Sequence, residues 1–214
     1  MPEWNPHARP SDEEALAQFE ALVLSQKPAS EPWTPVTDYS FEARKEIEGK
    51  HPELIRDVFE PKRVLDYGAG YGHLVRLLRD LGMKARGYEP YVTMAREAGR
   101  NFLFELLDTE QVFDLVICRE VFEHCVIAQI PNTVAELCGL SSRFVYITAR
   151  FAKYPVHFLS VDTSDDLDPT HITMLNQNFL RCLFVLEGFK RRADLEKKMD
   201  WQKKGRVLVY ERAQ

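Results

Sequence analysis

Most of the chain alternates between two patterns of apolar and polar positions. From residue 63 onward, short apolar runs that suit buried strands are followed by stretches in which apolar residues recur every three or four positions, the spacing of one helix face. These patterns predict strands at 63–67, 85–88, 102–104, 113–118, 143–149, 189–195 and 207–211, and helices at 73–81, 91–98, 127–138 and 175–186. Repeated strand–helix alternation is typical of the α/β class, with a mostly parallel sheet and helices on both faces. We therefore predict a seven-stranded sheet in which the last two strands, joined by the charged loop 196–205, place one antiparallel strand at an edge.

The chain before residue 61 has a different character. Its first 35 residues contain six of the twelve prolines, placed around one amphipathic helical pattern. Two more helices are predicted at 39–49 and 52–59. We therefore divide the chain into a helical N-terminal arm or lid, residues 1–60, and a ligand-binding domain, residues 61–214.

Composition and charge exclude several functional classes. Apolar residues make up 45% of the chain, enough to fill a core, so a disordered chain is excluded. Twenty-eight basic and 33 acidic residues give a net charge of −5, which disfavours sequence-independent nucleic-acid binding. No apolar run is long enough for membrane insertion, and the first residues lack the features of a secretory signal. The four cysteines form no CxxC pair, so we expect a cytoplasmic protein with reduced thiols.

A glycine-rich loop follows the first predicted strand. Gly68, Gly70 and Gly72 stand two residues apart, shortly after Asp66. In a doubly wound sheet such a loop lies at the carboxyl end of the strand, where glycine lets the backbone approach a ligand closely. Glu89 ends the second predicted strand, where a carboxylate can accept both hydrogen bonds of a ribose diol. Together these features predict a nucleoside-binding site. The alternative is a tight strand-to-helix turn without a ligand.

Three segments resemble motifs of the class I S-adenosylmethionine-dependent methyltransferases. Val64–Gly72 is similar to the first motif, Gly87–Pro90 to the second, and Phe113–Ile117 to the strand-four motif. The resemblance covers about residues 60–213 and implies a Rossmann-like fold with S-adenosylmethionine as cofactor. It implies that the first two glycines of the loop line the methionine end, that Asp66 positions the loop, and that Glu89 holds the ribose hydroxyls. The implied cofactor-binding set is Asp66, Tyr67, Gly68, Ala69, Gly70, Glu89, Pro90, Cys118 and Arg119, with Leu107 or Asp108 as alternatives at the adenine.

The fourth predicted strand leads into a cluster of acidic and histidine residues, Glu120-x-x-Glu123-His124. Two carboxylates and an imidazole suit Mg²⁺, Mn²⁺ or Zn²⁺, and His171 follows in the loop after strand five. The pattern resembles two methyltransferase branches, one acting on catechol-like hydroxyls in ubiquinone synthesis and one on the 2′-hydroxyl of small RNAs. This resemblance implies Glu120, Glu123, His124 and His171 as metal ligands. The alternative is that the Glu-His pair borders the cofactor pocket and binds no metal.

A metal-free role for the same cluster is also open. A neutral imidazole has a pKa close to working pH, so His171 can take a proton from an acceptor hydroxyl, with Asp168 to orient it. The predicted catalytic set is His171, His124 and Glu123. The alternative for His171 is a loop histidine that caps a helix. His51 carries no functional prediction, because no motif surrounds it.

These features predict an S-adenosylmethionine-dependent methyltransferase. Groups able to deprotonate a hydroxyl favour oxygen as the methyl acceptor, on a small molecule or glycan. An RNA 2′-O-methyltransferase and a cofactor-binding protein without catalysis are the alternatives, and the acidic composition disfavours a nucleic-acid partner. A nicotinamide-dependent dehydrogenase is disfavoured by the GxGxG spacing.

Overall fold

The structure, a computed structural model, describes residues 12–27, 39–90, 102–103, 112–151 and 170–213. The helix predicted at 91–98 and the residues Leu107, Asp108 and Asp168 lie outside these ranges. No helix within the described ranges combines the length and apolar character needed to cross a membrane.

One mixed sheet forms the centre of the protein. Its strands are β1 (Arg63–Tyr67), β2 (Lys84–Tyr88), β3 (Phe102–Leu103), β4 (Phe113–Arg119), β5 (Ser141–Thr148), β6 (Phe189–Arg191) and β7 (Val207–Arg212). The spatial order is β3-β2-β1-β4-β5-β7-β6, with six strands of three or more residues and the two-residue β3 at one edge. Strands β1 to β5 pair in parallel, whereas β7 is antiparallel to both β5 and β6. The predicted antiparallel strand is thus present at this end of the sheet, and it lies between β5 and the outermost strand.

Helices cover both faces of the sheet. They are α1 (Asp12–Ser25), α2 (Phe41–Glu48), α3 (His51–Phe59), α4 (His73–Asp80), α5 (Ile130–Leu140), α6 (Gln177–Leu186) and α7 (Ala193–Met199), with 3-10 turns at Phe122–His124 and Ile127–Gln129. Helices α5 and α6 contribute to the apolar core on one face, and α3, α4 and α7 to the core on the other. The predicted α/β fold class, with a mostly parallel sheet between helices, is confirmed.

The segment between β6 and β7 differs from the prediction. The predicted strand 189–195 ends at Arg191, and the predicted charged loop contains helix α7 instead. Leu195 and Met199 stand four residues apart on this helix, and both are buried in the core. Burial of this apolar pair stabilises a helix within a segment whose other side chains are mostly charged.

The sheet register brings the predicted site elements together. Tyr67, the last residue of β1, pairs with Tyr88 at the end of β2 and with Cys118 near the end of β4. Because the carboxyl ends of parallel strands meet at one edge, the segments that follow these strands are neighbours. The loop after β1, the acid after β2 and the turn after β4 therefore lie at the same edge of the sheet.

Candidate active site

The glycine loop is tied to the end of β2 by its own backbone. The N–H groups of Gly68 and Ala69 both donate to the Tyr88 carbonyl, at 2.8 and 2.9 Å. Gly68 has a φ of 77°, and a Cβ built on it would lie 2.4 Å from Cγ2 of Val121 in the turn after β4. Only glycine tolerates both the left-handed backbone and this close approach. The loop thus contacts the segments that follow two neighbouring strands.

Two predicted cofactor-binding carboxyl groups are buried beside the loop. Glu89 is 6% exposed, and its Oε2 accepts the Gly70 N–H at 2.8 Å. Asp66 is buried at the end of β1. Burial raises the pKa of Asp66 to about 7, although the positive charge of Arg119 opposes this shift. A buried acid held at the loop and a glycine turn open to close approach fit a nucleoside-bearing cofactor.

The other predicted cofactor-binding residues occupy different environments. The Tyr67 hydroxyl donates to Glu136 at 2.6 Å, and its ring lies 5.0 Å from that of Tyr88. Cys118 is fully buried within the core, and burial raises the pKa of its thiol well above the usual range. Pro90 is exposed, directly after the buried Glu89. These side chains differ widely in their access to a ligand.

A buried ion-pair network behind the loop had no counterpart in the sequence prediction. Glu48 on α2 accepts hydrogen bonds from Arg44 at 2.8 Å and from both terminal nitrogens of Arg119, at 3.0 and 3.1 Å. Its second oxygen also lies 2.8 Å from Nδ1 of His51, whose Nε2 lies 2.9 Å from the Tyr146 hydroxyl. The network therefore joins α2 and α3 to the end of β4 and to β5.

Charges within this network determine the protonation of its members. Burial alone would raise the pKa of Glu48, but the charge of Arg119 and hydrogen bonds from His51 and Arg119 outweigh it, so the pKa of Glu48 is well below its usual range. Burial and the charge of Arg119 lower the pKa of His51. A neutral His51 then donates from Nδ1 to the Glu48 carboxylate and accepts the Tyr146 hydroxyl at Nε2.

The sequence does contain a local signal for part of the network. Arg44, Glu48 and His51 stand four and three residues apart, the spacing that places side chains on one face of helical segments. Arg119 and Tyr146 lie 71 and 95 residues from their partners, so only the folded sheet brings them together.

The aromatic side chain of Tyr39, which precedes α2, also contacts the glycine loop. The ring of Tyr39 lies 5.7 Å from that of Tyr71 and 5.4 Å from that of His73. Nε2 of His73 donates to the Tyr39 carbonyl at 2.8 Å, because a carbonyl oxygen can only accept. The segment preceding α2 therefore packs against the loop at the amino end of α4.

The two acidic residues after β4, Glu120 and Glu123, lie in different environments. Glu120 has a left-handed backbone, with a φ of 51°, and its half-exposed carboxylate lies 4.0 Å from Arg206. Glu123 is 1% exposed, and one carboxyl oxygen accepts the Arg150 N–H at 3.4 Å while the other is buried without a hydrogen-bond partner. Burial and then the charge of Glu120 raise the pKa of Glu123 well above its usual range.

Two predicted catalytic histidines meet beside these acids. The rings of His124 and His171 pack edge to face, with centroids 4.8 Å apart. Nδ1 of His124 lies 3.0 Å from the Thr170 hydroxyl and 3.2 Å from the Thr170 carbonyl. The main-chain carbonyl of Glu123 accepts the N–H groups of Ile172 and Thr173, at 2.8 and 3.1 Å. These bonds hold the segment containing His171 against the turn containing His124.

The predicted metal centre is not assembled in this structure. Within the described part of the chain, which includes Glu120, Glu123, His124 and His171, no group of three or more histidine, cysteine, aspartate or glutamate side chains could hold a metal ion. Glu120 lies beside Arg206 as well as Glu123, Glu123 is buried, and Nδ1 of His124 is engaged by Thr170. The predicted ligand set is thus not assembled within the described residues.

The chain is similar to known methyltransferases in sequence pattern and in fold. Residues 42–190, more than half of the chain, match the model of the methyltransferase domain family. Magnesium protoporphyrin IX methyltransferase from Synechocystis PCC 6803, solved with bound S-adenosylmethionine, has a similar structure at 16% identity, with a TM-score of 0.57 over 84% of this chain and 87% of that one.

Two further solved structures are similar to this chain. A methyltransferase dependent on S-adenosylmethionine from Archaeoglobus fulgidus is 20% identical, with a TM-score of 0.52 over 72% of this chain and 75% of that one. Human N-acetylserotonin methyltransferase is 12% identical, with a TM-score of 0.52 over 81% of this chain and 55% of that one. No curated protein sequence matches the chain. The match to the family model, with the α/β fold and the glycine loop, shows that the chain belongs to the class I S-adenosylmethionine-dependent methyltransferases.

Proposed function

We propose that this methyltransferase transfers a methyl group to a hydroxyl oxygen of a small molecule or glycan, with the histidine pair His124–His171 as proton acceptor. The observation that carries the proposal is the position of this pair. Val121 packs on Gly68 of the cofactor loop, and His124 follows three residues later in the same turn. The pair therefore lies close to the loop proposed to hold the methyl donor.

The cofactor supplies an electrophilic methyl group on a sulfonium. We assign the glycine loop to its methionine end and Glu89 to its ribose, because a buried carboxylate anchored by Gly70 can accept hydroxyl hydrogen bonds. The chain's contribution to a displacement of this kind is to align acceptor and methyl group and to exclude water.

An imidazole in a defined tautomer supports oxygen as the acceptor. A hydrogen bond from Nδ1 of His124 to the Thr170 carbonyl requires the proton on Nδ1, which leaves Nε2 as the basic nitrogen. A neutral imidazole can accept the proton of an alcohol or phenol as the new oxygen–carbon bond forms. Glu123 acts as a positioning residue, because its carbonyl holds the backbone next to His171.

The first test separates cofactor binding from chemistry. Calorimetric titration with S-adenosylhomocysteine should show saturable binding to the wild type, weakened in Glu89→Ala by about 1–3 kcal/mol, the cost of losing charge-assisted hydrogen bonds. His124→Ala and His171→Ala should bind it with nearly unchanged affinity. Equal affinity of Glu89→Ala and wild type would contradict the ribose assignment.

The second test identifies the acceptor atom. Labelled S-adenosylmethionine is offered with matched aromatic acceptors that differ only in bearing a hydroxyl, an amine or a thiol. We expect label on the hydroxyl compound and loss of transfer in both histidine variants. Lys27→Ala, an exposed position, is the matched control. Transfer to the amine alone, or full transfer by both histidine variants, would overturn the proposal.

A further inference from the structure

We propose that Gln26 is a positioning residue for the histidine pair and latches helix α1 over the acceptor side of the site. This inference rests on the proposed function. Gln26 follows the last residue of α1 directly. Its Nε2 donates to the Ile172 carbonyl at 3.1 Å and to the Thr173 hydroxyl at 2.7 Å, and its Oε1 accepts the Ile127 N–H at 2.7 Å. One amide side chain thus bridges two turns that are far apart in the sequence.

Both bridged turns hold a histidine of the pair. Ile172 directly follows His171, and Ile127 lies three residues after His124. The Thr173 hydroxyl, which accepts from Gln26, donates in turn to the Cys125 carbonyl at 2.7 Å. Each group of the Gln26 amide therefore fixes a backbone or hydroxyl group that is one to three residues from an imidazole.

Gln26 is half-buried at the end of α1, whereas seven side chains within the helix are exposed: Glu13, Glu14, Ala17, Glu20, Ala21, Leu24 and Ser25. The amide of Gln26 therefore joins the carboxyl end of α1 to the two turns that carry the histidine pair. Loss of this amide should loosen both turns, because each would lose a hydrogen bond to a half-buried group.

The test compares three variants of the full chain and needs no acceptor. Gln26→Ala removes both halves of the amide. Gln26→Glu keeps an oxygen for the Ile127 N–H and loses both donors, and Lys27→Ala is an exposed neighbouring control. The amide exchange rate of Ile127 measures whether its hydrogen bond to Gln26 is intact. The NMR signals of the imidazoles measure the environment of His124 and His171. Titration with S-adenosylhomocysteine is run alongside.

We expect amide exchange at Ile127 to be roughly fivefold to tenfold faster in Gln26→Ala, because the net free energy of about one hydrogen bond no longer protects this amide. The imidazole NMR signals of both histidines should also shift in this variant. Gln26→Glu should keep Ile127 protected but still move the His171 signal, and Lys27→Ala should change neither. The affinity for S-adenosylhomocysteine should stay within about twofold in all variants, because the described hydrogen-bond partners of Gln26, Ile127, Ile172 and Thr173, lie outside the glycine loop.

An unchanged amide exchange rate at Ile127 in Gln26→Ala would contradict the proposal that Gln26 holds this turn. Faster exchange with unmoved imidazole signals would overturn the positioning role. Wild-type protein that fails to bind S-adenosylhomocysteine would contradict the proposed function instead, and the exchange and NMR results would remain interpretable.

Discussion

The buried carboxyl groups on the two sides of the active-site edge differ in their hydrogen bonding, although burial raises the pKa both of Asp66 beside the glycine loop and of Glu123 beside the histidine pair. On the cofactor side, Glu48 and Glu89 accept hydrogen bonds from guanidinium groups, an imidazole and the loop backbone. On the acceptor side, one oxygen of Glu123 is buried without a partner, and the pKa of this acid is raised. Satisfied buried charges rigidify a site, whereas an unsatisfied group keeps a free-energy cost that a proton or ligand can relieve. The side proposed to bind the cofactor is therefore preorganised by satisfied hydrogen bonds, and the side proposed to bind the acceptor retains one buried carboxyl oxygen without a partner.

Removing the Glu48 carboxylate should cause the largest effect. Glu48→Ala would leave the Arg119 guanidinium unpaired at the end of β4, and we expect a loss of about 3 kcal/mol in the free energy of unfolding. Glu46→Ala, at an exposed position on the same helix, should stay within about 0.5 kcal/mol of wild type. Urea denaturation measures both. A loss below about 1 kcal/mol in Glu48→Ala would contradict preorganisation by this network.

The same variant has a defined pH dependence. Because the fold lowers the pKa of Glu48, its stabilisation is present above the ordinary carboxyl pKa of about 4.3 and is lost as the pH falls below it. The difference between wild type and Glu48→Ala should therefore shrink in acid. A difference that is constant from pH 7 to pH 3 would show that the charge is not its origin.

Adding one methyl group to the cofactor loop should have the next largest effect. Gly68→Ala combines a left-handed backbone with a 2.4 Å approach to Val121, and we expect about 2–4 kcal/mol of destabilisation with weakened S-adenosylhomocysteine binding. Gly82→Ala has a φ of 85° but no atom within 4 Å of the added carbon, so it isolates the backbone strain at about 1 kcal/mol. Equal losses in the free energy of unfolding in the two variants would show that close packing on Val121 is not what requires glycine at position 68.

The smallest effect is expected on the acceptor side, with the opposite sign. Since the fold raises the pKa of Glu123, its contribution is fully present below the ordinary carboxyl pKa and is lost as the pH rises through the folded value. Glu123→Gln removes this titration and should be more stable than wild type at pH 8 by about 1 kcal/mol, with no difference near pH 4. Thermal unfolding across this range measures it. A variant less stable than wild type at pH 8 would argue against an uncompensated acid.

Local features of the sequence were sufficient to predict the sheet and the position of the glycine loop. The apolar runs that form β1, β4 and β5 are buried because parallel strands are covered on both faces, and the Gly68–Gly72 turn depends on residues adjacent in the chain. Helix α7 was missed because only Leu195 and Met199 give its apolar face among charged residues.

The candidate site was harder to predict, because it depends on side-chain directions. The Glu120-x-x-Glu123-His124 spacing supplies suitable metal ligands, but the burial of Glu123 and the contact of Glu120 with Arg206 depend on the tertiary structure. The pairing of Arg119 with Glu48 crosses 71 residues, and local spacing carries no information about it. Gln26 bridges 101 to 147 residues, so its role also follows from tertiary structure alone.

The position of β7 between β5 and β6 has a consequence for the order in which the chain can fold. Strand β6 is synthesised before β7, yet within the described sheet its hydrogen-bonded neighbour is β7. On the ribosome, β6 and α7 must therefore wait without a sheet partner until residues 207–212 emerge. This edge then forms by a late, non-local step, and a ribosome-bound chain that stops before Val207 would expose the unpaired backbone edge of β5 to chaperones or to other nascent chains.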